Sequence, residues 1–282
     1  MSASNAVLNN LFSQHLDTAE GKEKIAEYGG SYIRDHLREV AFSRKIVPPE
    51  TVTRTDCQRS VNHDTLVKIV DVRSLAVADV KVVRFERFRD ERGYFTEPYR
   101  QSDVELDPHV SFLAGVTFPQ ANESFSRAGV VRGLHFQWSP FMGKLVRTVH
   151  GRMVDLALDI RLASPSFGKI VAYDMPSSPD GEWSEWIWVP PGFAHGNYFT
   201  EETTIEYFCT GEYSPGNEAA VSPLAEDLDW SLCAPELRDE FRALLDAGAT
   251  LSAKDRDAGS LADWQADPRS ENFQHSELAG SP

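Results

Sequence analysis

The sequence has 282 residues, of which 41% are hydrophobic, and its formal net charge is −15. This length and composition are enough for a globular domain with a sizeable core. The negative charge argues against nucleic-acid binding, because that function needs a concentrated cationic surface, and no apolar run approaches the roughly 20 residues that span a bilayer.

The start of the chain and its cysteines point to a reducing compartment. The N-terminal sequence MSASNAVLNN lacks the basic region and the apolar core of a signal peptide, so we expect a cytoplasmic protein without a membrane partner. Cys57, Cys209 and Cys233 lie far apart and none is in a CxxC pair, so neither a disulfide framework nor a zinc site is predicted. Ordinary buried or half-buried thiols fit this spacing.

Residues 1–75 differ in pattern from the rest of the chain. Apolar residues recur at helical intervals within Tyr32–Phe42, which predicts one amphipathic helix there. Pro48 and Pro49 end that segment, and weaker strand-like runs such as LVKIVDV follow. We therefore expect a helical or mixed N-terminal extension, for which no motif indicates a role.

Residues 76–264 read as a β domain, because short apolar stretches alternate with glycine, proline and acidic turns. Met153–Arg161 is the clearest strand: its branched residues share one face, while Asp155, Asp159 and Arg161 share the other. Alternation by itself favours solvent for the charged face.

The C-terminal part is predicted to contain one helix and a tail. Pro235–Ala247 begins with proline, has acidic residues in its first turn, and places Leu237, Phe241 and Leu244 on one side. Residues 265–282 are mostly polar, so we expect them to be loosely held.

The densest group of reactive residues is in VVRGLHFQ, which carries Arg132 and His135, with Lys144 nine residues after the histidine. Histidine is the natural proton carrier near neutral pH, and a nearby cation can stabilise an oxyanion. Strict alternation would put Arg132 and His135 on opposite faces unless Gly133 marks a β-bulge.

A metal site is the alternative use of the histidines in a β-barrel, with His135, His150 and His195 as candidate ligands. Two ligands on one strand are typically two residues apart, but that position after His135 is Gln137, a poor ligand. This spacing therefore argues against a metal site.

Eight short pieces of the sequence, taken together, are similar to one known family. They are RGYFTE (92–97), QANESFS (120–126), VVRGLHFQ (130–137), KLV (144–146), DIRLASPSFGK (159–169), PPGFAHG (190–196), EYFCTGEYSP (206–215) and LSAKD (251–255). In this order they resemble the dTDP-4-dehydrorhamnose 3,5-epimerase family, a group of metal-free cupin-fold enzymes, over roughly residues 82–264.

The resemblance implies a mainly β fold, namely a cupin or double-stranded β-helix jelly-roll barrel with a C-terminal helix, to which the N-terminal extension is added. It also implies an isomerase that epimerises a nucleotide-activated 4-keto-6-deoxyhexose at C3, C5 or both, through an enolate at C4. The chemistry would need no redox or metal cofactor.

The resemblance assigns the central roles to four residues. His135 matches the catalytic base, and Asp255 matches the carboxylate that orients its ring. Tyr207 matches the proton donor on the opposite side of the sugar, and Lys144 matches the cation near the C4 oxygen.

Further matches concern the barrel interior and the substrate. His195 and Asp159 match a second, inward-facing histidine and aspartate, which favours a pocket for the charged face of Met153–Arg161. In the family some substrate contacts come from a strand that is exchanged with a neighbouring subunit, so the resemblance implies a homodimer. The positions that match residues holding the nucleotide-diphosphate sugar are Arg92, Phe95, Glu97, Gln120, Asn122, Arg132 and Tyr213.

The chain also departs from the family pattern, which keeps other functions open. Val221 and its neighbours replace a common tryptophan-containing turn, Asn197 stands where a phenylalanine commonly follows PGFAHG, and Phe208 replaces a common lysine. The alternatives are a single-site epimerase or ketoisomerase on the same fold, or a catalytically silent module that binds nucleotide sugars.

Overall fold

The computed structural model describes residues 69–278, and in this range the chain is mainly β, as predicted. The strands are β1 (Ile69–Ser74), β2 (Lys81–Glu86), β3 (Phe88–Asp90), β4 (Gly93–Phe95), β5 (Gln120–Ser126), β6 (Val131–Gln137), β7 (Lys144–Asp159), β8 (Ile170–Ser177), β9 (Trp183–Val189), β10 (Phe193–Phe199), β11 (Thr203–Cys209) and β12 (Glu218–Ala220). The helices are α1 (Gln101–Leu106), α2 (Pro235–Asp246), α3 (Ala253–Arg256), α4 (Leu261–Ala266) and α5 (His275–Leu278), with 3-10 helices at Pro108–Leu113 and Pro268–Asn272.

Antiparallel pairing arranges most of these strands in two layers that share β7. One layer has the order β1-β2-β9-β7-β11-β5, and the other has the order β8-β7-β10-β6-β12. The start of β7 pairs in the first layer, and its part from Gly151 onward pairs in the second. The long strand therefore folds the sheet over on itself and closes a barrel-like core.

The crossing of β7 depends on an irregular stretch that ends at Gly151. The register between β7 and β11 shifts at Thr204 and Ile205, opposite His150 and Thr148. Gly151 has a φ of +82°, and a Cβ there would lie 2.3 Å from the carbonyl oxygen of Glu202. Only glycine fits both the left-handed backbone and this close approach.

Apolar layers cover both faces of β7, and this corrects the expectation from alternation. Its branched residues pack under α2 and α4, while Met153 and Ala157 face the barrel interior. The charged residues on that inner phase are buried too: Asp155 and Arg161 are each 1% exposed. The face predicted to meet solvent is therefore the inner wall, because the second layer of strands lies over it.

The C-terminal helix is confirmed as α2, but the segment after it is better held than its polar composition predicted. Phe273 and Leu278 are buried in the cluster on the outer face of β6 and β7. The amide of Leu162 donates to the carbonyl of Phe273 at 2.7 Å, and the amide of His275 donates to the carbonyl of Leu162 at 3.0 Å. A few apolar anchors and these backbone hydrogen bonds fix residues 265–278, so the expectation of a loose tail is wrong for them.

The N-terminal prediction falls mostly outside the described residues, including the helix expected at Tyr32–Phe42. Ile69–Ser74, at the end of the predicted extension, pairs with β2 and belongs to the sheet. Between residues 69 and 278, no helix has the length and apolar character needed to cross a membrane.

We expect Gly151→Ala to destabilise the protein strongly, because the new methyl group meets backbone atoms at a left-handed position. The matched control is Gly216→Ala, since Gly216 has a similar φ of +87° but nothing lies within 4 Å of the place that its Cβ would take. Left-handed backbone alone costs about 1–2 kcal/mol. Urea unfolding should show a loss for Gly151→Ala that exceeds the loss for the control by about 2 kcal/mol or more; equal losses would contradict the steric argument.

Candidate active site

A cleft of about 330 Å³ lies where β7 begins, and six of the thirteen residues predicted for the site line it. Its walls come from β5, β6, β7, β11 and β12. The lining residues are Gln120, Asn122, His135, Phe136, Gln137, Met142, Lys144, Tyr207, Cys209, Tyr213 and Glu218. Side chains that are distant in sequence thus meet in one polar cleft.

His135 reaches the cleft from β6, beside a bulge of the kind proposed at Gly133. The register between β6 and β10 shifts between His195 and Asn197, so one extra residue of β6 is accommodated there. A Cβ on Gly133 would lie 2.5 Å from the Cα of Gly196, which shows that the two backbones are in close contact. Arg132, on the other side of this bulge, does not line the cleft, and its guanidinium donates to Ser126 and to the carbonyl of Phe125.

His135 forms a close pair with Asp255. Its Nε2 lies 2.6 Å from Oδ1 of Asp255, which is buried in α3, and Ser252 caps that helix by accepting from the Asp255 amide. Burial lowers the pKa of His135, while Asp255 opposes this shift and Lys144 adds to it. The ring is therefore neutral near pH 7, and with Nε2–H donated to Asp255 its Nδ1 lone pair is available.

Tyr207 faces the cleft from β11, in the layer opposite β6. It pairs across strands with Asn122 on β5. Burial raises the pKa of the Tyr207 hydroxyl, Cys209 adds to this rise, and Arg132 and Asn122 oppose it. The phenol therefore keeps its proton at neutral pH and is suited to donate it.

Lys144 is connected to a second histidine–aspartate pair behind the cleft. Its Nζ lies 3.5 Å from Nδ1 of His195, and His195 Nε2 lies 2.7 Å from Oδ2 of Asp155. Burial lowers the pKa of Lys144, and Cys209, Asp155 and Glu218 oppose this shift. Lys144 thus lines the cleft and connects it to the His195–Asp155 pair.

Of the two aspartates on the inner phase of β7, Asp155 is the one that pairs with His195, whereas the resemblance matched Asp159 to the site. Asp159 does not contact His195; its carboxylate accepts from Arg161 at 2.8 Å, Ser164 at 2.6 Å and Ser166 at 2.7 Å. Although burial opposes it, Arg161 and Ser164 hold the pKa of Asp159 below its usual range. Asp155 and Asp159 share one phase of β7, so alternation could not distinguish them, and the register with β10 decides the pairing.

Three residues that were not predicted for the site also take part in hydrogen bonds around the cleft rim. They are Cys209, Glu218 and Lys254. Asn122 Nδ2 lies 3.6 Å from the Cys209 sulfur, and Gln120 Nε2 donates to Asn122 Oδ1 at 3.1 Å.

On the other side of the rim, the hydroxyl of Tyr213 and the ammonium of Lys254 both donate to Glu218 Oε1 at 2.7 Å. Lys254 directly precedes Asp255 in LSAKD, and that adjacency was the only signal in the sequence for it.

Three of the predicted substrate-binding residues lie away from the cleft of the chain to which they belong. Arg92 and Phe95 belong to the β3–β4 hairpin, which forms a separate two-stranded sheet, and Glu97 follows it. Arg92 pairs with Asp90 and Glu97 pairs with Arg100, each at 2.5 Å, while Phe95 is 62% exposed. None of the three lines the cleft that contains His135.

The described residues do not bring together a set of ligands for the alternative metal site. Within residues 69–278, no group of three or more histidine, cysteine or acidic side chains is placed to hold a metal ion. His150 is exposed on the irregular part of β7, and His135 and His195 each pair with an aspartate. The expectation that the enzyme needs no cofactor stays a prediction.

The departures from the family pattern have distinct environments. Phe208 lies in the outer layer, where its ring stacks on Trp186 at 5.1 Å between centroids, so it does not reach the cleft. Val221 pairs with the backbone of Leu134 in both directions at 3.0 Å and extends β12 beside β6. Asn197 is buried on β10, two residues after His195.

Comparisons with known proteins agree over the described domain. Residues 74–263 match the family model described as dTDP-4-dehydrorhamnose 3,5-epimerase. The enzyme of that name from Sinorhizobium fredii is 41% identical over 152 residues, which cover 53% of this chain and 73% of the relative. The one from Salmonella typhimurium is 38% identical over 180 residues, covering 61% and 93%.

Solved structures give the same result. The dTDP-6-deoxy-D-glucose-3,5-epimerase of Legionella pneumophila, in complex with dTDP-4-keto-L-rhamnose, is 34% identical with a TM-score of 0.55 and covers 68% of this chain and 93% of its own. A 4-keto-6-deoxy sugar epimerase from the novobiocin gene cluster of Streptomyces spheroides is 28% identical with a TM-score of 0.56, covering 71% and 92%. The match spans the barrel and both histidine–aspartate pairs, and the chain belongs to the dTDP-4-dehydrorhamnose 3,5-epimerase family of isomerases.

Proposed function

We propose that this enzyme epimerises a dTDP-linked 4-keto-6-deoxyhexose at C3 and C5, with His135 as the base and Tyr207 as the acid. The observation that carries the proposal is the placement of these two groups. A neutral imidazole on β6 and a protonated phenol on β11 face one cleft from opposite layers. Inversion of a carbon needs a base on one face and an acid on the other.

The first half of the reaction forms an enolate. His135 Nδ1 takes the proton from the carbon next to the ketone, and the electron pair of that C–H bond moves to the C4 oxygen. Asp255 then stabilises the imidazolium through Nε2–H. The Lys144 ammonium group stabilises the negative oxygen, and burial strengthens this interaction because little water competes.

The second half returns a proton to the opposite face. Tyr207 donates its phenolic proton to the carbon as the enolate collapses back to the ketone, which inverts the configuration. Arg132 lowers the pKa of Tyr207 against the effect of burial, so it favours the phenolate that forms at this moment. Solvent then restores the protonation of both groups, and no electron transfer takes place.

Polar and aromatic groups at the cleft rim support binding of the nucleotide part. The Tyr213 ring is about half exposed and is suited to stack on a base, while Gln120 and Asn122 offer amide groups for hydrogen bonds. Arg132 is exposed beside Tyr207, and an arginine suits a diphosphate. In this proposal the four residues form the part of the nucleotide site that one chain provides.

We further propose a homodimer in which the β3–β4 hairpin of one chain completes the cleft of its partner. β5 carries Gln120 and Asn122, and among the described strands it pairs only with β11, so its other edge is open. Phe95 on the hairpin and Phe125 on β5 are both highly exposed. An open strand edge next to exposed aromatic residues favours coverage by another chain.

A cytoplasmic location belongs to the same proposal. Cys209 and Cys233 are both free and buried. Free thiols fit a compartment that keeps cysteines reduced.

Incubation of the protein with dTDP-4-keto-6-deoxyglucose in heavy water tests the function. We expect deuterium at both C3 and C5, followed by NMR and mass spectrometry, because each carbon lies next to the ketone. Incorporation at one carbon would identify a single-site epimerase. Tight binding without incorporation would identify a binding module and contradict the proposal.

Two variants separate the proposed acid and base in this assay. His135→Asn should abolish deuterium incorporation, because an amide cannot take the proton from carbon. Tyr207→Phe should retain incorporation with unchanged configuration but lose inverted product by about 100-fold or more. Tyr173→Phe is the control, since its hydroxyl contacts Arg73 and Glu185 outside the cleft. Loss of exchange in both Tyr207→Phe and the control would argue against the assignment.

The pH dependence tests the His135–Asp255 pair. Asp255 raises the pKa of His135 against the effect of burial, so Asp255→Asn should lower that pKa further. Because the base acts in its neutral form, the acidic limb of kcat against pH should move to lower pH in the variant. The maximal kcat should fall by about 100-fold, because an amide does not stabilise the imidazolium. Asp257→Asn, an exposed neighbour, should change neither quantity; a limb that moves to higher pH would refute the pairing.

Mixed dimers test the exchanged hairpin. His135→Asn chains alone and Arg92→Ala chains alone are expected to be poorly active. In a mixed dimer each cleft takes residue 135 from one chain and residue 92 from the other. One of its two clefts therefore carries both substitutions, and the other cleft carries neither. Co-refolding equal amounts should therefore restore about one quarter of the wild-type activity. A mixture that stays inactive, or a protein that sediments as a monomer, would exclude the exchanged arrangement.

A further inference from the structure

Two buried oxygen atoms behind the cleft lack hydrogen-bond partners among the described residues. They are Oδ1 of Asp155 and Oδ1 of Asn197, and the two residues are 1% and 4% exposed. A buried acceptor without a donor costs about 1–3 kcal/mol. Because two such atoms lie on neighbouring strands, we expect a side-chain orientation in which a hydrogen-bond donor reaches the carboxylate.

The strand register puts these side chains next to each other. Asn197 on β10 is the direct Cα partner of Asp155 on β7. Directly paired residues of antiparallel strands project to the same face with Cβ atoms about 5 Å apart. His195 lies two residues before Asn197, so it shares that face, and it already binds the other oxygen of Asp155.

The amide of Asn197 contains the donor that Asp155 lacks. The oxygen and nitrogen of an asparagine amide have nearly the same shape, so a half-turn of the group exchanges their positions. In the turned form Nδ2 takes the place of the unpaired oxygen, and the strand pairing puts the Asp155 carboxylate on the same face. Asp155 would then accept one hydrogen bond at each oxygen.

We propose that Asn197 is a positioning residue whose side-chain amide donates to Asp155 Oδ1 and thereby fixes the chain Asp155–His195–Lys144 behind the cleft. The inference rests on the proposed function, in which Lys144 stabilises the C4 oxygen. Asn197 itself does not line the cleft, so it acts only through the other three residues.

The donors and acceptors of this chain determine one proton arrangement. Lys144 donates to His195 Nδ1, His195 Nε2–H donates to Asp155 Oδ2, and Asn197 donates to Oδ1. His195 is neutral in this arrangement, because Nδ1 accepts. The positive Lys144 and the negative Asp155 balance each other through the ring, which holds the ammonium in place.

Several charged or titratable groups face Lys144 and set its charge. They are Cys209 from β11, Glu218 from β12, His135 from β6, His195 from β10 and Asp155 from β7 itself. Burial lowers the pKa of Lys144, and Asp155 is one of the groups that oppose this shift. If Asp155 is held less firmly, the opposition weakens and the pKa of Lys144 falls further.

The first experiment compares Asn197→Leu, which keeps the approximate volume, with wild type and with Thr203→Val. Thr203 is the matched control, because it is a fully buried polar residue whose hydroxyl forms its hydrogen bonds with the backbone of Arg152 and Glu201. For Asn197→Leu we expect kcat to fall about 10-fold with KM within about 2-fold. The alkaline limb of kcat should move to lower pH, because the active enzyme needs charged Lys144. The control should leave both quantities unchanged.

The second experiment observes the ring of His195 by ¹⁵N NMR, and it needs no activity. Wild type should show a neutral ring with Nε2 protonated, and Asn197→Leu should show a mixture of tautomers. Asn197→Ser is a smaller replacement that admits a water molecule, and it should give a smaller shift in the tautomer populations. It takes the place of Asn197→Leu if that variant fails to fold.

An unchanged tautomer together with unchanged kcat in the Asn197 variants would overturn the inference. A wild-type protein without proton exchange would instead reject the proposed function, and the NMR comparison would still test the contact of Asn197 with Asp155.

Discussion

Burial of ionisable groups inside an apolar barrel is the constraint on which the site depends. A carboxylate without water is costly unless donors surround it. Asp255, Asp155 and Asp159 are all buried, and each lies against a cationic or ring N–H donor: His135, His195 and Arg161, respectively. The pairing that removes the cost also fixes which nitrogen of each histidine is free, so the stability of the interior and the proposed chemistry depend on the same contacts.

The long strand β7 connects the two halves of the proposed reaction. Its first residue, Lys144, enters the cleft, and Asp155 near the far end supports that lysine through His195. Because β7 changes layers at Gly151, it also holds β11, which carries Tyr207, against the layer that carries His135. The opposition of acid and base is therefore a consequence of how one strand crosses between two sheets.

The C-terminal segment contributes to the site as well as to the core. Phe136, next to His135, has its ring 4.5 Å from that of Trp264 and 5.4 Å from that of Phe273. α3 delivers Asp255 to the other side of the same histidine. Residues that follow the barrel in sequence thus pack against the strand that carries the proposed base, and one of them orients the imidazole ring.

The sequence by itself determined the β character of residues 76–264, the helix α2, the two faces of Met153–Arg161 and the residue types that could move a proton, because these depend on local periodicity and side-chain chemistry. It also indicated a bulge at Gly133, since strict alternation separates Arg132 from His135. Only the tertiary structure decided that Asp155 and not Asp159 binds His195, because both residues share one phase and the choice depends on the register with β10. Likewise, Asp255 is separated from His135 by 120 residues, and no local pattern can show that folding places them 2.6 Å apart.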